Sequence, residues 1–279
     1  MAARPKTLPA AVVPVWSGCL LAWQLSGDFD LRLAVLTLFG AIFIQIATNF
    51  FNDVIDAEKG ADTAERAGPQ RATASGLLSR RAMYGGAFVM LAAASVCGFL
   101  LFQERGWAIL AIGIPSLYLS YGYTGGPLPL AYRGLGEVFV ILFFGLIAVG
   151  GTVFVQTGMW PWLGAVLGFQ IGLLSAVLIA VNNYRDLEED EVVDKRTLVV
   201  RWGRAPVAKL IYVMTLLPSL LVLSYGGVGC WFFGSLALAG VFLVLEWRFL
   251  RPDGVSSKLL GLSALHLILF VLIQNLCLS

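Results

Sequence analysis

An all-α, polytopic membrane helix bundle is the fold class this sequence predicts, and three observations predict it. Mean hydropathy is +0.83 and only 13% of the residues are charged, too apolar for an ordinary soluble domain of 279 residues. Apolar stretches near the ~20 residues needed to cross a bilayer recur nine times along the chain. Lysine and arginine gather on alternate connections, as they do where basic loops stay cytoplasmic.

The first stretch, 8–25, follows Arg4 and Lys6. A basic start before an apolar run is also how a cleaved signal reads, but eight further spans need no such signal, so this one is expected to stay. The second span, 31–51, runs into a long polar connection at 52–81. Spans at 82–102 and 107–123 follow, joined by a short link that carries Arg105. A polar connection at 124–135 holds Arg133 and leads to spans at 136–156 and 162–182. The last long polar connection, 183–206, precedes spans at 207–224, 228–247 and 259–277. With the N-terminus cytoplasmic, every Lys and Arg except Arg32 and Arg105 falls on the cytoplasmic side, which fits nine transmembrane helices with cytoplasmic cap loops. The chain reads as one domain, 1–279. Cys19, Cys97, Cys230 and Cys277 lie far apart with no C-x-x-C pairing, and are expected to be packing residues rather than a disulfide or a zinc site.

Charge is concentrated in two places on the predicted cytoplasmic face. "NNYRDLEEDEVVDKRT", residues 182–197, holds six carboxylates, and the connection after Phe51 holds Asp53, Asp56, Glu58, Asp62 and Glu65. The two regions echo each other: N-x-x-x-D runs from Asn49 to Asp53 and again from Asn182 to Asp186, at an offset of 133 residues. Asn182, Asp186 and Asp190 stand at i, i+4 and i+8, and Asn49, Asp53 and Asp56 at i, i+4 and i+7, so each set lines one helix face. Carboxylates crowded beside a low-dielectric region raise one another's pKa and require a cation. Oxygen ligands from Asp and Asn favour a hard ion, and Mg2+ typically takes one or two carboxylates plus waters and phosphates. Lys59, Arg66 and Arg71 lie beside the first acids, and Arg185, Lys195 and Arg196 beside the second. Acids interleaved with bases point to a metal-bridged polyphosphate, and at a membrane surface that means a lipid diphosphate. A charged loop is ordinarily only solvated; two matching stripes on one face argue against that reading here. "DAEKGAD" lacks the ligand spacing of a calcium loop.

At these residues the sequence resembles the UbiA superfamily of intramembrane prenyltransferases, whose hallmarks are two Asp-rich motifs after the second and sixth spans of a nine-helix bundle. The second motif corresponds to Asn182, Asp186 and Asp190, and the first to "NFFNDVIDAEKGAD", with Asn49, Asp53, Asp56 and Asp62; its third Asp falls one residue earlier than the simplest D-x-x-x-D form. "RATASG", Arg71 to Gly76, is similar to the superfamily's R-P-x-x-S-G stretch. "RPKTLPAAVVPVWSG", "YTGGPLPLAYRGLGE" and "NNYRDLEEDEVVDKRTLVVRWG" resemble the branch that prenylates 1,4-dihydroxy-2-naphthoate in menaquinone and phylloquinone synthesis. Thr124, Gly125 and Gly126 stand where the hydroxybenzoate branch usually carries a Lys-Arg pair, a diphosphate contact that Arg133 is expected to supply.

The resemblance implies Mg2+-dependent transfer of a polyprenyl or phytyl group from its diphosphate to 1,4-dihydroxy-2-naphthoate, with loss of the carboxylate. It implies Asp53, Asp186 and Asp190 as catalytic residues, and Asn49, Asp53, Asp56, Asn182, Asp186 and Asp190 as metal ligands. Arg71, Lys195 and Arg196, with Arg133, Lys6 and Arg4 and the two asparagines, are the implied diphosphate partners. Phe50, Tyr118, Tyr121 and Phe139 are candidates to face an allylic cation, although aromatics in such spans are more often packing or interface residues. The expected partners are polyprenyl diphosphate, 1,4-dihydroxy-2-naphthoate and membrane lipid, and no nucleic acid. The absence of an evident transit peptide favours a bacterial inner membrane, with the site facing the cytoplasm. His266 reads as a packed histidine, and Glu137, in "GLGE", as more interesting than Glu246. The alternatives are a related transferase using 4-hydroxybenzoate or homogentisate, and a secondary transporter. Transporters place coupling carboxylates near the bilayer midplane at broken helices, whereas these acids gather at one face.

Overall fold

The computed structural model describes residues 2–61, 71–225, 228–251, 254–255 and 258–278. Nine long helices stand among them: α1 (Pro9–Ser26), α2 (Leu31–Glu58), α3 (Arg80–Arg105), α4 (Trp107–Gly122), α5 (Gly136–Thr157), α6 (Trp162–Arg185), α7 (Arg204–Leu221), α8 (Cys230–Phe249) and α9 (Lys258–Leu278). A two-residue antiparallel pairing, Leu250 with Val255 and Arg251 with Gly254, lies between α8 and α9.

Among the described residues, seven of these helices are long and apolar enough to cross a membrane: α2, α3, α5, α6, α7 with its following turn, α8 and α9. The predicted first and fourth spans are helical too. α1 is diluted by two prolines, two tryptophans and Gln24, and α4 has 16 residues, about 24 Å of helix against a hydrocarbon core of about 30 Å. α2 continues to Glu58, seven residues past its predicted end at 51, because backbone hydrogen bonding does not stop where side chains become polar.

Local chemistry sets the boundaries. The Asp30 carboxylate accepts from Leu33 N at 3.0 Å and starts α2, and Ser79 Oγ accepts from Ala82 N at 3.2 Å and starts α3. At the end opposite the acids, Arg105 donates to the Val155 and Gln156 carbonyls at 2.7 and 3.1 Å, a cation at the C-terminus of α5.

α6 is apolar all round and is the most buried of the seven. α5 lies directly against it. A Cβ on Gly145 would stand 2.3 Å from the Gly168 carbonyl oxygen, and one on Gly172 2.7 Å from the Ile141 oxygen, so small residues let the two backbones touch. At this contact α5 widens into a π-helical segment, Ile141–Ile147. α1 packs on α5, and α2 on α3. Leu31, Phe88, Trp107 and Trp247 are exposed on the perimeter, as side chains meeting lipid would be.

Two sequence expectations change. Cys19 and Cys97 are free and buried, as expected, but Cys230 is disulfide-bonded; distance along the chain does not keep cysteines apart once helices fold back on one another. The second acidic stripe is not one uninterrupted helix either. α6 ends at Arg185, Asp186 leaves helical geometry, and a short helix, Leu187–Val192, follows.

Candidate active site

The first acidic stripe lies wholly on α2, with Asn49, Asp53 and Asp56 buried. Asn49 Nδ2 donates to Ala3 O at 2.9 Å and to Thr7 Oγ1 at 3.2 Å, which pins the N-terminal turn bearing Arg4 against α2. Asp53 receives two backbone amides: Ala72 N on Oδ2 at 3.1 Å and Thr73 N on Oδ1 at 2.9 Å. That carboxylate anchors the Arg71–Gly76 turn, which Ser75 closes by donating to the Arg71 carbonyl at 2.7 Å. Asp56 Oδ1 accepts from the Tyr132 hydroxyl at 2.9 Å. Asp62, Glu65 and Arg66 lie outside the described residues, as does the Lys6 side chain.

The second set is neutralised from within. Arg185 lies bidentate on Asp186, at 2.6 and 2.9 Å, and reaches Asn182 Oδ1 at 2.6 Å. Lys195 Nζ meets Asp190 Oδ1 at 3.1 Å, while Asp190 Oδ2 is buried with no hydrogen-bond partner among the described residues. Asp194 adopts a left-handed conformation, φ 53°, and this reversal sends Lys195 inward and Arg196 outward. Arg196 is exposed and pairs with Asp194 at 2.7 Å; only its backbone N–H reaches inward, to the Tyr132 carbonyl at 3.2 Å. Arg133 is exposed. The structure therefore brings Asn49, Asp53, Asp56, Arg71, Asn182, Asp186, Asp190 and Lys195 to one end of the bundle, and turns the Arg133 and Arg196 side chains to its outside.

Tyr132, in the middle connection, ties the halves together. Its hydroxyl holds Asp56, its carbonyl receives Arg196 N, and Lys59 Nζ stands 3.8 Å from its ring centroid with Lys195 Nζ at 5.8 Å. Lys59 also donates to Thr124 O at 2.8 Å, and the Thr124 hydroxyl bonds Asn52 Oδ1. A Cβ on Gly125 would lie 2.8 Å from the Tyr121 ring and 2.9 Å from Ile55, so the Thr-Gly-Gly run is what lets this connection settle onto α2. Tyr132 and Asn52 were not singled out from the sequence, and Lys59 was counted only among the bases beside the first acids; the signal for Tyr132 was its place inside the branch-specific stretch from Tyr123 to Glu137.

The charges of the two halves act on one another. Burial pushes the Asp190 carboxyl up to about 6 against the opposing pull of Lys195, with Asp186 and Asp56 adding to the rise. Burial works against the charge on Lys195, yet Asp56, Asp190 and Asp186 together hold its pKa above the ordinary lysine value. Burial lowers that of Lys59, opposed by Asp56 and assisted by Lys195.

Among the described residues no three His, Cys, Asp or Glu side chains form a ready cage for a metal. The donor set still fits Mg2+, which is usually held by one or two carboxylates and completed by water and phosphate oxygens: all the acids offer oxygen, and Asp190 Oδ2 is buried without a partner among the described residues. Asn182 and Asp186 take part only if Arg185 yields some of its hold.

Below Asn49, a cavity of about 320 Å³ runs between α1, α2, α3, α4 and α5. Its wall is mostly apolar and includes Ile44, Phe139, Phe143, Phe144 and Ile147. Of the aromatics proposed to face a cation, Phe139 lines this cavity, whereas Tyr118 and Tyr121 are exposed and Phe50 packs on Gly86. Away from the site, His266 is buried and stacked on Phe242, with ring centroids 4.4 Å apart. Glu137 is buried and accepts from Asn183 Nδ2 at 3.0 Å.

Fold and site together define an integral membrane helix bundle with acids and bases gathered at one end, over an apolar cavity. The chain belongs to the UbiA prenyltransferase family, which matches residues 11–266. It is 36% identical over 214 residues to a 1,4-dihydroxy-2-naphthoate octaprenyltransferase of Haemophilus influenzae, covering 72% of this chain and 68% of the relative. It is 38% identical over 209 residues to the Mycobacterium leprae protein of the same name, covering 75% and 70%. The structure of a UbiA homolog from Archaeoglobus fulgidus bound to GPP and Mg2+ matches its fold with a TM-score of 0.72 at 14% identity, over 98% of this chain and 96% of that one.

Proposed function

We propose that this protein transfers a polyprenyl group from its diphosphate to 1,4-dihydroxy-2-naphthoate, with Mg2+ and with loss of the acceptor's carboxylate. The observation that carries the reading is the convergence of two acidic helix ends on Lys195 and Tyr132, at the top of an apolar cavity. Relatives named for this acceptor, at 36% and 38% identity, support the choice of naphthoate.

Asp190, Asp56, Asp53 and Asp186, with Asn49 and Asn182, would hold the metal and the diphosphate. When bound, Mg2+ supplies positive charge to the oxygens of the departing diphosphate. Lys195, Arg71, Arg4 and Lys59 take the remaining phosphate oxygens as the C–O bond breaks, which places fixed positive charge where negative charge develops. The chain lies in the apolar cavity, where water is excluded from the allylic cation and Phe139 offers it a ring face. The electron-rich ring then attacks. The new carbon–carbon bond forms at C1 of the prenyl group, the ring–carboxylate bond breaks with release of CO2, and its electron pair restores aromaticity.

The protein acts as a single domain, 1–279, with α1 and α4 completing nine spans. The Lys and Arg distribution supports a cytoplasmic site, in a bacterial inner membrane. The test is product formation by purified protein with 1,4-dihydroxy-2-naphthoate and a polyprenyl diphosphate, with and without Mg2+, beside Asp186→Ala. A prenylated, decarboxylated naphthoquinol made only with metal, and lost in the variant, is expected. Product from 4-hydroxybenzoate or homogentisate instead would reassign the acceptor, and no product from any of the three would remove the transferase reading.

A further inference from the structure

Gln45 stands four residues before Asn49 and eight before Asp53, so the three lie on one face of α2. Gln45 carries the polar stripe about 6 Å deeper into the bundle than Asn49 and about 12 Å deeper than Asp53. It lines the cavity and is 8% exposed. At position 178, the place equivalent to Gln45 in the second copy of the motif, the chain has Leu.

The orientation of the Gln45 amide follows from its neighbours. Asn49 Nδ2 is committed to Ala3 O, which can only accept, and to Thr7 Oγ1. Asn49 Oδ1 therefore faces Gln45 and takes a hydrogen from its Nε2, at 3.3 Å. That leaves Gln45 Oε1 buried with no hydrogen-bond partner among the described residues. The cavity wall cannot satisfy it from its hydroxyls: Thr37, Thr48, Ser95, Ser116, Ser120 and Thr152 each donate to a carbonyl of their own helix.

A buried acceptor without a donor calls for a ligand with an O–H or N–H. A prenyl chain has neither, and a diphosphate brings mainly oxygens that would repel a carbonyl. A hydroxylated aromatic ring has the donor, and Gln45 lies about one helical turn below the diphosphate end, where a ring must sit to reach C1 of the prenyl group. Resting on the transfer reading proposed above, we infer that Gln45 Oε1 receives a ring hydroxyl of the aromatic acceptor and so positions that ring for attack.

Steady-state kinetics of the purified protein test this with Gln45→Leu and with Gln45→Met, the second keeping an unbranched chain of similar length where the first fails to fold. Each variant is expected to raise KM for the dihydroxynaphthoate about tenfold, for the buried hydrogen bond lost to that substrate, and to raise KM for the prenyl diphosphate by less, since the long Gln45 Nε2 contact to Asn49 is lost as well. Two hydroxy-2-naphthoates, each lacking one ring hydroxyl, supply a readout that a structural role would not move. Wild-type protein is expected to bind one of them about tenfold more weakly than the dihydroxy compound, and the variants to lose that discrimination. An unchanged acceptor KM, an equal rise in both KM values, or discrimination that survives in the variants would overturn the inference while the transfer reading stands. Wild-type protein that prenylates no hydroxynaphthoate would overturn both.

Discussion

Replacing Tyr132 by Phe removes one hydroxyl from the centre of the site and leaves its ring. The lost contact is the 2.9 Å hydrogen bond to Asp56, a buried carboxyl on α2. The ring still faces Lys59 Nζ at 3.8 Å, and the Tyr132 carbonyl still receives Arg196 N, so the middle connection stays docked and the protein stays folded. A hydrogen bond to a charged group contributes about 1.5–3 kcal/mol. Where that contact orients Asp56 toward metal and diphosphate, kcat/KM for the prenyl diphosphate falls about 10- to 150-fold. The assay is Mg2+-dependent product formation by Tyr132→Phe, Asp56→Asn and the double variant, beside a thermal unfolding curve for each. The double variant is expected to be no slower than Asp56→Asn alone, because the hydroxyl acts through that carboxylate. A Tyr132→Phe enzyme within about twofold of wild type, or losses that add in the double variant, would refute a bridge through Asp56.

Three further outcomes follow from the same geometry. Lys195→Met strands the buried Asp190 carboxyl, and thermal unfolding in detergent should show a loss of about 3 kcal/mol, recovered in large part by adding Asp190→Asn. Mg2+-dependent binding of prenyl diphosphate should weaken as pH falls through about 6, because Asp190 is ionised above that value and protonated below it, and a proton competes with metal for its oxygens. At pH 5 about a tenth of Asp190 remains ionised, and Asp190→Asn should flatten that step in a titration of binding against pH. Gly145→Ala forces α5 from α6 at a contact where a Cβ would stand 2.3 Å from a carbonyl oxygen, and calorimetry or thermal unfolding should show a loss of about 1–3 kcal/mol or more.

The bundle was legible because hydropathy reports which segments prefer hydrocarbon. Its ends were less so, since a helix such as α2 continues for two turns after its side chains turn polar. The first acidic stripe was legible through its spacing, because i, i+4 and i+7 place Asn49, Asp53 and Asp56 on one face of α2, while the end of α6 at Arg185 interrupts the second. Direction was not: Lys195 and Arg196 are adjacent in sequence, and the left-handed Asp194 before them turns one inward and the other out. Arg185 was read only as a base near the acids, although it closes on Asp186. Tyr132 and Gln45 depend on long-range placement. One acts across 76 residues on Asp56, and the other matters because, among the described residues, a cavity between five helices leaves its oxygen without a donor, which no local pattern encodes.

The central claim is that both acidic helix ends serve one metal–diphosphate site. Its most direct test is equilibrium binding of a slowly ionising prenyl thiolodiphosphate to wild type, Asp53→Asn and Asp190→Asn, as a function of Mg2+. Mg2+ is expected to tighten binding to wild type about tenfold or more, and either substitution alone to abolish the metal effect. Mg2+-dependent binding of wild-type strength in either variant would show that one half suffices and would contradict the shared site.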